Sequence, residues 1–467
     1  MSTALGLILP SLAVYAWLSL GSSTSRLLRV ALAPGLGLGA ASCLYLFLLV
    51  LSSSHTIAVR GDLAFWALAL VVAASFRLGS QLRRSRVGPN QLGGWRWPAP
   101  PSLLAAAVTF IAVAGLAAAT FLVRISIEPH GEWDAWAIWN LRARALWRGA
   151  PDWPAIFSPE LGWSHPDYPL MLPISIARLW AYAGRESLAA PALIAAIFLA
   201  ATAATVAVSI GEQRGWTAGF LSGAMLIAPR SYVFDATCQC ADIPLGFFVM
   251  VAIACVTIAI RRELEHRWQW LVCGLAAGLA AWTKNEGQLA LLVVGLVVVV
   301  AAFRRPRRIV LFLAGASIPA AALVLFKLRL ATSTNYLFEP QSIAGVWGRL
   351  ADLTRWSFVV NSVFWTGLGW GQVPMGALAI LGGVVTLTAC DVRTGIRPGL
   401  VALGLLAVVM TGYITAFVMT PLPLEWQIRT SLARLLSQLW PALVWALFQF
   451  AGAAKERETV AAPAVAS

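Results

Sequence analysis

Charge is scarce in this sequence. Asp, Glu, Lys and Arg make up 12% of its 467 residues, against 59% that are hydrophobic. That balance excludes a soluble domain, which needs far more polar surface to face water. Acids are the scarcer sign, 20 against 34 basic residues, for a formal charge of +14. A basic surplus can mark nucleic-acid binding. Here the basic residues gather in short segments between apolar runs, the pattern of loops retained on the cytoplasmic side of a membrane. No nucleic-acid partner is expected. Cysteine is sparse too, and its placement excludes a disulfide scaffold. Cys43, Cys255, Cys273 and Cys390 lie in or beside apolar runs, and Cys238 and Cys240 do not have the C-x-x-C spacing of a redox or zinc pair. Nothing basic precedes the first apolar run, so that run is expected to be a retained span rather than a cleaved signal.

What is abundant is apolar sequence in runs of about twenty residues, each long enough to cross a bilayer as a helix. Unpaired backbone groups are not tolerated in lipid, so these runs are read as helices. A β-barrel would alternate apolar and polar residues, whereas these runs are continuous. The expected fold is all-α, a polytopic transmembrane helical bundle of about thirteen spans. Residues 1–101 are read as three extra spans and a cytoplasmic linker ending at Pro98 to Pro101. Residues 102–467 are read as the core, with an external loop at 124–173 and a late span at 375–389. The basic knot of Arg304, Arg305, Arg307 and Arg308 anchors one end on the cytoplasmic side.

The longest polar interruption of the core is residues 128–173. It holds Glu128, Glu132, Asp134, Asp152, Glu160 and Asp167, two of the four histidines (His130 and His165), and many tryptophans. Residues 134–148 read as a helix with Trp136, Trp139, Ala143 and Leu146 on one face. Arg142, Arg144 and Arg148 lie mainly elsewhere, as in an interfacial helix whose arginines meet lipid headgroups. Residues 168–182 are apolar but short, and read as a juxtamembrane helix. Further on, Asp242, Lys284 with Glu286, and Arg429 with Arg434 mark three more polar elements, and the alternation of spans puts all of them on the same external face. Ionisable residues at such boundaries are costly and point to function. Carboxylates from separate loops suit general-base catalysis and orientation or metal ligation. Lys and Arg suit a phosphate leaving group, and aromatic residues suit sugars and prenyl chains. The plainer alternatives are a helix N-cap for Asp134, an interfacial histidine for His165, and a surface pair for Lys284 with Glu286. Asn335 and Tyr336 are a weaker sugar-lining pair.

In order and spacing these features resemble the GT-C superfamily of polytopic glycosyltransferases, above all bacterial relatives of protein O-mannosyltransferases and of the lipid A aminoarabinose transferase. The resemblance rests on Asp134 in GEWDAWAIWNLRARAL, on His165-Pro166-Asp167-Tyr168-Pro169-Leu170, on Asp242-Ile243-Pro244-Leu245 and on Thr283-Lys284-Asn285-Glu286-Gly287. Two features depart from the family: Ala135 stands where many members have a second acid, and two residues are inserted before Gly287. The resemblance implies transfer of a sugar from a polyprenyl-phosphate donor to a lipid, polysaccharide or protein acceptor. It places the active site on the periplasmic side of the cell inner membrane, among membrane lipids. Asp134 would activate the acceptor, with Glu132 beside it, and Asp242 would assist or, with Asp134, ligate a divalent cation, Mg or Mn. Lys284 would hold the donor phosphate, and charge and location add Arg429 and Arg434. His165, Tyr168, Glu286 and Trp136 are expected to contact substrate. The rivals are a transporter or flippase of lipid-linked glycans, which predicts internal repeats and mid-membrane charges, and a polysaccharide polymerase or ligase.

Overall fold

The computed structural model describes residues 3–21, 24–84, 101–149, 153–261, 267–331, 343–370 and 392–451. The linker at Pro98 to Pro100, Asp152, Asn335, Tyr336, Cys390 and the expected span at 375–389 lie outside them. Among the described residues every regular element is helical, and ten helices are long and apolar enough to cross a membrane. They are α1 (Thr3–Leu20), α2 (Arg26–Ser52), α3 (His55–Arg84), α4 (Pro101–Ile127), α7 (Ala189–Arg214), α10 (Asp242–Arg261), α12 (Asn285–Ala302), α13 (Pro306–Arg329), α16 (Val392–Met419) and α17 (Leu424–Phe448). Two shorter apolar helices, α8 (Trp216–Ile227) and α11 (Arg267–Thr283), pack among them. The remainder are short: α5 (Asn140–Arg148), α6 (Met171–Ala183), α9 (Arg230–Thr237), α14 (Ile343–Ala351) and α15 (Leu353–Gly369).

Small residues decide how closely the helices approach, as they do wherever lipid removes the usual hydrophobic drive between helices. A Cβ on Gly274 of α11 would lie 1.9 Å from the Phe312 carbonyl oxygen of α13, and one on Gly315 would lie 2.0 Å from the Leu271 carbonyl. These two helices therefore cross backbone to backbone. On α2, Gly35 and Gly39 receive Phe247 and Phe248 of α10. The packing makes α10 the centre of the bundle: its spanning segment is 83% buried, against 17% for α4 at the lipid-facing edge. Helix α6 is buried along nearly its whole length and is too short to span, as the sequence suggested.

Two local readings change. The helix expected over 134–148 begins as a π turn, Ala135–Trp139, before continuing as α5. The extra backbone residue rotates the face, so Trp139, Ala143 and Leu146 are buried while Trp136 is exposed. Arg142 is fully buried and does not meet lipid headgroups. The last polar stretch is not a loop either, since α17 starts at Leu424 and carries both Arg429 and Arg434.

Candidate active site

Four distant stretches meet at one end of the bundle, and glycine contacts explain how. Gly131 has φ +75°, and a Cβ there would lie 2.6 Å from the Cys238 carbonyl oxygen. Only glycine tolerates both constraints. Across this contact the Glu132 amide donates to the Cys238 carbonyl (3.4 Å), and the Gln239 side chain donates to the Pro129 carbonyl (3.1 Å). The first polar loop is thereby laid on the α9–α10 turn, which carries Asp134 toward Asp242. Asp242 opens α10, with Pro244 in the first turn, where a missing N–H costs nothing. Lys284 is an extended residue between α11 and α12. The reversal there needs Gly287, whose Cβ would lie 1.8 Å from the Ala280 carbonyl oxygen.

The charged side chains then form one chain of alternating sign. Arg434 Nη1 donates to Asp134 Oδ2 at 2.5 Å, and its Nε lies 3.4 Å from Asp242 Oδ2. Asp242 Oδ1 accepts from Lys284 Nζ (2.9 Å) and from Gln438 Nε2 (2.5 Å). Lys284 Nζ is also 2.9 Å from Glu286 Oε1. Asp134, Arg434, Asp242, Lys284 and Glu286 thus follow one another, so each inner charge has an opposite charge on both sides. That is the condition under which charges persist in a buried setting. Burial works against the charge on Lys284, but Asp242 and Glu286 outweigh it and hold its pKa above the ordinary lysine value. Asp134 makes no N-cap hydrogen bond, so its side chain is committed to Arg434 and not to the helix end.

A cavity of about 340 Å³ lies against this chain, lined on its polar side by His165, Asp167, Tyr168, Lys284, Glu286 and Arg434 and elsewhere by apolar residues such as Leu289 and Phe417. A recess that combines apolar surface with converging polar groups suits a small molecule. His165 adopts a left-handed conformation (φ +51°), uncommon for a residue with a Cβ, and its ring stacks 4.7 Å from that of Tyr168. The buried Arg142 guanidinium secures this turn by donating to the carbonyls of Ser164, His165 and Tyr168. Burial lowers the pKa of His165 and pushes that of the Tyr168 hydroxyl up, so both are held neutral.

The structure brings Asp134, Asp242, Lys284, Glu286, Arg434, His165 and Tyr168 together. Glu132 stands apart, paired with Arg124 at 3.2 Å. Trp136 is exposed and packs edge-on against Trp133. Arg429 is exposed on α17 and does not line the cavity. Several participants were not singled out from sequence. Tyr413 donates to Gln438 Oε1 (2.9 Å). Asn285 Nδ2 donates to Asp167 Oδ2 (2.6 Å), and Lys327 Nζ donates to the Asp167 carbonyl (2.6 Å) and to Asn285 Oδ1 (3.1 Å). Asp235 accepts from Ser437 Oγ, and burial raises its pKa to about 7. Lys327 shares the last turn of α13 with Arg329, and Gln438 directly follows Ser437 on α17, so neither stands out in the sequence as a lone polar residue.

The carboxylates do not fit a divalent cation. Among the described residues no three His, Cys, Asp or Glu side chains cluster as a ligand set, and Asp134 and Asp242 flank one guanidinium. A cation between them would have to sit beside Arg434 or displace it.

Residues 174–340 match a family described as dolichyl-phosphate-mannose-protein mannosyltransferase. The matched stretch is of the GT-C glycosyltransferase type. With ten helices able to cross a membrane, the chain is a multi-pass membrane glycosyltransferase of that type. The match covers roughly a third of the chain and carries Asp242, Lys284, Asn285, Glu286 and Lys327. Asp134 and Arg434 lie outside it and join it through the ion pairs above. No curated protein and no solved structure matches the chain.

Proposed function

We propose that this GT-C protein transfers one sugar from a polyprenyl-phosphate donor to a lipid, polysaccharide or protein acceptor on the external face of the inner membrane. The observation that carries the reading is the chain of alternating charges set against a partly apolar cavity. The apolar wall suits the prenyl end and one face of the sugar, while Lys284 and Arg434 suit the phosphate. In the step itself an acceptor hydroxyl oxygen bonds to the anomeric carbon and the bond from that carbon to the phosphate oxygen breaks. The hydroxyl proton passes to Asp134, and the electron pair leaves with polyprenyl phosphate, whose charge Lys284 and Arg434 stabilise. Because Arg434 is shared by Asp134 and Asp242, a phosphate drawing on the same guanidinium loosens its hold on Asp134 and frees the base. Glu286, His165 and Tyr168 line the cavity, and in this reading they contact the sugar. No metal enters this scheme.

The test compares, by mass spectrometry, the surface glycolipids and polysaccharide of cells making the wild-type protein, no protein, or Asp134→Asn. One sugar missing in both the deletion and the variant supports the reading and names the product. A complete glycan in the variant removes Asp134 from the mechanism. A whole glycan unit missing outside and accumulating inside supports transport instead.

A further inference from the structure

The matched family region begins at residue 174 and leaves α1–α3 without a role. Between these helices and α6 lies a second buried charge cluster, separate from the cavity. Asp62 of α3 has no exposed surface, although it lies within a span. Its Oδ2 accepts from Arg178 Nε (3.0 Å), Arg178 Nη2 (2.6 Å) and the Tyr182 hydroxyl (2.6 Å), and its Oδ1 accepts from Trp66 Nε1 (3.0 Å). Arg178 and Tyr182 belong to α6 and are one turn apart. The remaining arm of Arg178, Nη1, donates to the Gly6 carbonyl of α1 at 2.6 Å. A Cβ on Gly6 would lie 3.2 Å from both Leu179 and Tyr182, so α1 sits directly on α6.

A carboxylate in this position is costly unless paired, and leaving one partner alone is costlier still. Both oxygens of Asp62 are taken by protein donors, so the cluster is built as a fastening and not as a ligand site. What it fastens is α6, whose first residue, Met171, directly follows the turn that puts His165, Asp167 and Tyr168 on the cavity wall. Seven residues of one helix, about 10 Å, separate Arg178 from Met171. A second attachment holds the neighbouring element. His55, at the start of α3, contacts the Leu146 carbonyl of α5 through Nε2 (2.8 Å) and the Tyr45 hydroxyl through Nδ1 (2.9 Å). Helix α5 in turn carries Arg142, which holds the carbonyls of that same turn.

We infer that α1–α3 form the seat of the cavity wall, with Asp62 and Arg178 acting as positioning residues for the 165–168 turn of the transferase site. The effect on turnover rests on the function proposed above, but the effect on the wall does not. The test uses the full-length protein in nanodiscs and compares wild type, Asp62→Asn, Asp62→Glu and Tyr182→Phe. Amide hydrogen exchange is followed over 164–171, with α14 (Ile343–Ala351) as internal reference, together with donor KM and kcat. The expected result for Asp62→Asn is exchange over 164–171 faster by about tenfold or more with little change at the reference. KM for the donor rises, and Asp62→Glu restores much of both. Tyr182→Phe removes one hydrogen bond and supplies the same comparison, at smaller amplitude, if Asp62→Asn does not fold. Unchanged exchange over 164–171, or a uniform rise across both segments, overturns the inference. A wild-type protein that transfers no sugar while the exchange pattern holds would overturn the proposed function and leave the seat standing.

Discussion

Arg434 holds two carboxylates with one guanidinium, and Lys284 holds one of those same carboxylates from the other side. Removing Asp134 takes away the proposed base while leaving the Asp242–Arg434–Lys284 core paired. Asp134→Asn is therefore expected to lower the transfer rate by at least about 100-fold with little loss of thermal stability, read by initial rates alongside a melting curve. Lys284 behaves differently because it is buried with Asp242. Lys284→Met strands part of that carboxylate and is expected to cost about 3–5 kcal/mol, measured by denaturation in detergent. Asp242→Asn combined with Lys284→Met should recover much of that stability without recovering activity. Asp235 gives a pH signature. Burial raises its pKa from the ordinary 3.8 to about 7, so the folded state holds its proton more tightly than the unfolded chain. Its contribution to stability is fully present below the unfolded value and is lost as pH rises through the folded one. Asp235→Asn should remove this component, so the gap between variant and wild-type melting temperatures should widen in the variant's favour between pH 4.5 and 8.

At the scale of elements, the site depends on close backbone crossings more than on helix ends. Gly131 and Gly184 both have positive φ, but only Gly131 faces another backbone, with nothing within 4 Å of a Cβ at Gly184. Gly184→Ala should cost about 1–2 kcal/mol of backbone strain and leave transfer nearly intact. Gly131→Ala should add a clash with Cys238 that pushes the first loop off the α9–α10 turn, and transfer should fall far more than the melting temperature does. Paired rate and melting measurements on the two variants separate these effects. The crossing brings together four residues that the sequence offered as candidates. Asp134, Asp242, Lys284 and Arg434 were legible because acids and bases are rare in this chain and these sit beside apolar runs. Gln438, which donates to Asp242, and Tyr413, which donates to Gln438, were not legible, since each looks like an incidental polar residue until α10, α16 and α17 are packed together. Arg142 was misread for a related reason. A basic residue on a Trp-rich helix looks like a headgroup contact until three carbonyls are seen to converge on it.

For the whole molecule, the apolar runs made the bundle legible, and basic segments made its orientation an expectation. The short buried helix α6 and the two-sided burial of α10 follow from packing that no single run reveals. The match over residues 174–340 fixes the glycosyltransferase type, while the base proposed here and the arginine beside it come from flanking segments that fold onto it. The central claim is that these parts form one transferase site. It is tested most directly by reconstituting purified protein in liposomes containing polyprenyl-phosphate sugars and following release of free polyprenyl phosphate upon addition of acceptor lipids. Wild type should release it in step with appearance of the glycosylated acceptor, and Asp134→Asn should release almost none. Equal release by both proteins, or movement of the intact donor across the bilayer without cleavage, would contradict the claim.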